Sequence, residues 1–84
     1  METQIIMDTP DPWIKRITVD PGICGGRPCI RGMRIRAIDV LDLLASGLTQ
    51  DQVLEELPEL EREDIEAVLR LASTKLAHPT GQIV

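Results

Sequence analysis

The sequence predicts a mostly α domain with a small β element: three helices of helix-turn-helix outline, preceded by short strands or a hairpin. Three observations predict it. Residues 37–76 place apolar side chains at helical spacing in three runs, parted by Gly47 and by Leu57-Pro58. Residues 17–36 are rich in Gly, Pro and β-branched side chains, the composition of turns and short strands. Trp13 is the only aromatic residue, so the core is built from Leu, Ile, Val and Ala. Such a core suits helices.

The first fourteen residues read as an arm. Ile5, Ile6 and Met7 form a short apolar run, and Thr9-Pro10-Asp11-Pro12 then forces an extended or turning path. Disorder and an arm exchanged with a second subunit both fit such a terminus. Trp13 to Val19 (WIKRITV) is the best strand candidate, ended by the turn Asp20-Pro21-Gly22. Within Ile23 to Arg36, the pieces Cys29-Ile30 and Arg34-Ile35 flank Arg31-Gly32-Met33 and suggest a hairpin. Alternation then turns Ile30 and Ile35 to the core and leaves several arginines outward.

Ala37 to Ser46 is the first helix, closed by Gly47. Its polar stripe is only Asp39, Asp42 and Ser46, whereas a surface helix of a monomer shows a broader polar face. Burial on two sides is expected, by its own domain and by a partner; core burial alone stays open. Val40, Leu43 and Leu44, with Ile5, Ile6 and Trp13, are the candidate dimer or partner interface. The second helix starts at the N-cap Thr49, with Gln52 completing a capping box, and Pro58 ends it. The third carries Ile65, Val68, Leu69, Ala72 and Leu76 on one face. Glu59, Glu61, Glu63 and Asp64 crowd its start while Lys75 and His78 sit near its end, as the helix dipole favours. The organisation is an arm (1–14), one helix-turn-helix-like domain (15–78) and a loose tail (79–84).

At 84 residues the domain is near the lower limit for a stable single core, so self-association is expected. No apolar run spans a bilayer, and the start lacks the pattern of a signal peptide. A cytoplasmic protein without membrane contact is the expectation. The net charge of −5 argues at first against nucleic acid. Its distribution is uneven. Residues 15–36 carry six bases (Lys15, Arg16, Arg27, Arg31, Arg34, Arg36) against Asp20 alone, whereas residues 37–84 carry three bases against ten acids. Those six bases are the candidate DNA contacts, because guanidinium groups grip phosphate bidentately. An intramolecular match to the acidic helices, or an acidic protein partner, is the competing use. A third helix that starts EREDIE is electrostatically wrong for reading a major groove.

Catalysis finds little support. His78 is the single histidine and stands at a helix end, so no serine or cysteine has a histidine pair to act as nucleophile and base. Cys24 and Cys29 are two ligands short of a zinc site. The remaining carboxylates sit on helix faces expected to be solvated. No catalytic residue, metal, cofactor or small-molecule substrate is expected.

From Ile17 to about Leu76 the chain resembles a bacterial family of small domains of unknown function regarded as VapB-like antitoxins, often encoded beside a PIN-like ribonuclease toxin. The residues that carry the resemblance are Pro21, Gly25-Gly26, Pro28, Ile30, Gly32, Arg34-Ile35, Leu44, Gly47, Leu57-Pro58, Leu60 and Asp64-Ile65. Met33 and Glu61 stand where the family usually has threonine. The resemblance implies a homeodomain-like or winged fold, a homodimer and a non-enzymatic role: binding a PIN-like toxin and operator DNA. A protein-interaction module without DNA binding is the alternative.

Overall fold

The computed structural model describes residues 12–77. The expected arm at 1–14, with Ile5 and Ile6, falls almost wholly outside that range, as do His78 and the tail at 79–84.

Pro12 opens the described chain with φ −61°, and the Lys15 N–H donates to its carbonyl at 3.1 Å. The result is a 3₁₀ turn, Trp13–Arg16, packed against the third helix. Only Ile17–Thr18 remains extended and forms β1. The expected strand from Trp13 to Val19 is thus corrected to two residues. Partial alternation in WIKRITV lost to a turn that half-buries Trp13 and carries Arg16 to a carboxylate of the third helix.

A second 3₁₀ turn, Cys24–Gly26, leads into β2, Cys29–Ile30. The two strands are antiparallel, with Ile17 opposite Ile30 and Thr18 opposite Cys29. β2 also turns back on the chain that follows it: the Ile30 N–H donates to the Ile35 carbonyl at 3.0 Å, and Cys29 bridges to Arg36. This is the hairpin around Arg31-Gly32-Met33. Arg31 and Gly32 both take positive φ, 45° and 74°. The Gly32 N–H donates to the Thr18 hydroxyl at 2.8 Å, which ties the turn to β1.

Helices α1 (Ala37–Ala45), α2 (Gln50–Glu56) and α3 (Arg62–Ala77) complete the fold. The end of α1 is a Schellman motif: Gly47, at φ 105°, donates its N–H to the Leu44 carbonyl, and Leu48 donates to that of Leu43. The capping box at Thr49 forms in both directions, Gln52 N–H to Thr49 Oγ1 at 3.1 Å and Thr49 N–H to Gln52 Oε1 at 2.8 Å. Pro58 follows the last turn of α2, and Leu60 swings into the core. That core gathers Ile30, Ala37, Val40, Val53, Leu60, Ile65 and Val68, with Ile17, Ile35, Leu41 and Leu71 packed on its edge. Both strands and all three helices contribute to it. No helix among the described residues is long and apolar enough to cross a membrane.

Candidate functional site

The first turn of α3 brings one carboxylate inside the protein. Asp64 is fully buried, although its place in the acidic run EREDIE predicts a solvated helix face. Three groups reach it. Arg16 donates from one terminal nitrogen at 2.9 Å; Arg31 donates from Nε at 3.0 Å and from a terminal nitrogen at 2.8 Å; the Glu61 backbone N–H donates at 2.8 Å. Arg16 also pairs with Glu61 at 2.8 Å, and Arg31 donates to the Glu59 carbonyl at 3.1 Å. Burial would push the Asp64 carboxyl up, but the bonds from Arg31, the Glu61 N–H and Arg16 outweigh it and hold the carboxyl below its ordinary value. The hydrogen bond to Asp64 in turn raises Arg31, so both partners stay charged.

The local sequence explains the geometry. Asp64 stands three residues after Glu61, the position from which an acidic side chain reaches back to the N–H that precedes a helix. The 3₁₀ turn and the positive-φ hairpin turn present Arg16 and Arg31 to it. The signal available in the sequence was that N-terminal spacing together with the surplus of arginine upstream.

Of the six bases singled out above, three are therefore engaged within the chain. Arg16 and Arg31 hold Asp64; Arg36 clasps Asp39 with its Nε at 3.1 Å and a terminal nitrogen at 2.8 Å at the start of α1. Lys15, Arg27 and Arg34 are exposed and make no ion pair among the described residues. The acidic surface is formed by α2 and the start of α3, where Glu55, Glu56, Glu59, Glu63 and Glu66 are exposed. Arg62 there pairs with Asp51.

The candidate interface residues separate in the same way. Val40 is fully buried in its own core, while Trp13, Leu43 and Leu44 are half-buried. Ile38, which the helical pattern did not single out, is the large apolar residue α1 leaves exposed, at 44%. Beside it, α1 and the C-terminal half of α3 enclose an apolar groove of about 470 Å³. The two cysteines are free thiols; burial and the neighbouring Cys24 thiol push Cys29 up, so it stays protonated.

No solved structure matches the chain. An uncharacterized protein, y4eO, of Sinorhizobium fredii (strain NBRC 101917 / NGR234) is 40% identical over 57 residues, 68% of this chain. The chain spans 24% of that relative's length. A family model described as protein of unknown function (DUF433) matches residues 17–72, from β1 through most of α3, and the chain belongs to that family.

Proposed function

We propose that this protein is a non-catalytic, VapB-like antitoxin that works in the cytoplasm as a homodimer and binds and neutralises a PIN-like ribonuclease toxin. The carrying observation is the exposed acidic surface of α2 and the start of α3, where five glutamates stand without an ion pair among the described residues. A basic protein surface is the partner such a face attracts, and opposite charge there speeds encounter and sets orientation. The antitoxin reading itself rests on the family resemblance of residues 17–76, and the toxin is its encoded neighbour.

Operator DNA is the second proposed ligand, through Lys15, Arg27 and Arg34. The internal engagement of Arg16, Arg31 and Arg36 favours the other reading, an interaction module without DNA binding, because it halves the basic set.

Two experiments test these. Co-expression with the neighbouring gene product is expected to give a co-purifying complex and restored growth; absence of both removes the toxin. Mobility shifts on the upstream DNA are expected to weaken with salt, and the Lys15→Ala/Arg27→Ala/Arg34→Ala variant to bind less tightly with a shallower salt slope. Wild-type protein that shows no salt-sensitive shift leaves the interaction module alone. Arg31 is unsuitable for this comparison, since its loss disturbs Asp64 as well.

A further inference from the structure

Cys24 and Cys29 lie outside the Asp64 site, and the chain between them is a tight reversal. Three consecutive residues take positive φ: Cys24 at 53°, Gly25 at 67° and Gly26 at 82°. The Gly26 N–H donates to the Ile23 carbonyl at 3.0 Å, and the Arg27 N–H to the Cys24 carbonyl at 3.2 Å. Glycine adopts this left-handed backbone freely, but cysteine, with its Cβ, does so against a steric penalty. Cys29 then enters β2, where its carbonyl accepts from the Thr18 hydroxyl and the residue bridges to Arg36. The reversal brings the two thiols into a hydrogen bond with each other. They differ in access: Cys29 is 2% exposed, whereas Cys24 is half-buried. The Arg36 guanidinium, held by Asp39, is close enough for its charge to act on both sulfurs.

We propose that Cys24 and Cys29 form a reversible redox pair, which hydrogen peroxide closes to a disulfide within the folded chain. Cys24 meets the oxidant, because a partly exposed sulfur beside a guanidinium is the setting in which cysteines react. Its thiolate attacks one peroxide oxygen: an S–O bond forms, the O–O bond breaks, and the departing hydroxide takes a proton from solvent. The Cys29 sulfur then displaces hydroxide from the sulfenic acid on Cys24. The S–S bond forms, the S–O bond breaks, and the Cys29 proton leaves with the hydroxide as water. One peroxide becomes two waters while the two thiols give up two electrons. Exchange with another thiol reverses the closure. The strained backbone at Cys24 has a use on this reading: it aims one sulfur at the other. The inference does not rest on the proposed function.

Mass spectrometry of the full chain, with thiol labelling after denaturation, tests it. Hydrogen peroxide is expected to give a monomer lighter by two hydrogens, both thiols blocked and both restored by dithiothreitol. Helical circular dichroism should be unchanged, since the pair closes inside the fold. Cys29→Ser should stop at the sulfenic acid on Cys24, trapped by dimedone. Cys24→Ser should take up about tenfold less dimedone, because the remaining thiol is buried. The urea-unfolded chain sets the peroxide dose, and thiols still free in the folded chain at the dose that closes the unfolded one would overturn the proposal. So would disulfides between two chains, loss of helix on oxidation, or a Cys24→Ser variant that takes up dimedone as fast as Cys29→Ser.

Discussion

Asp64 is the residue on which the packing of the N-terminal half over α3 depends. A buried carboxylate is favourable here because both arginines and a backbone N–H satisfy it, and removing it strands two guanidinium groups that are each only partly exposed. Asp64→Ala is expected to lower unfolding stability by about 3 kcal/mol, read from urea denaturation. The pH dependence has a definite sign. The folded carboxyl titrates below its unfolded value, so its contribution is complete above about pH 5 and is lost as acid carries the solution below 4 and through the folded pKa. Asp64→Asn should flatten that acid limb, apart from a smaller part left by Asp39, which Arg36 also holds low. The sequence displayed the ingredients of this centre without the assignment. A charge run such as EREDIE is solvated by default, and only tertiary contact decides which of its members turns inward.

At the scale of elements, the helix boundaries were legible because their signals are chemical and local. Gly47, Thr49 with Gln52, and Pro58 each act through backbone geometry that no neighbour needs to supply. Gly47→Ala tests this directly. A Cβ there meets no atom within 4 Å, so the cost is conformational alone, about 1 kcal/mol, and a calorimetric midpoint some 4–8 °C lower is expected. Gly47→Asn should recover part of the loss, since asparagine tolerates positive φ. Trp13 to Val19 was less legible. Four β-branched residues and a tryptophan suggest a strand, yet Pro12 sets a turn and α3 offers Trp13 and Arg16 better contacts than a sheet edge would.

For the whole molecule, the uneven charge was read correctly as a division of the chain, but composition could not say how much of it is spent internally. Three of six bases neutralise carboxylates of the same domain, which cancels charge of both signs and leaves the segment 15–36 less basic at the surface than its total suggests. The expected homodimer belongs at this scale too. Sedimentation at micromolar concentration should give twice the chain mass; a monomer mass would remove the second copy and leave α1 to be covered by its own chain. The helix pattern had singled out Val40 as part of a contact face, and the core claims it, because the two-residue β2 brings Ile30 beneath α1.

The bonds to Asp64 bridge 48 residues from Arg16 and 33 from Arg31, whereas each helix closes over a few. Closing loops of that size comes late in a folding trajectory, after the local helices have formed. The carboxylate should therefore act as a kinetic latch: its loss would quicken unfolding far more than it slows folding. Lifetime of the native state, rather than the speed of reaching it, is what this one side chain sets.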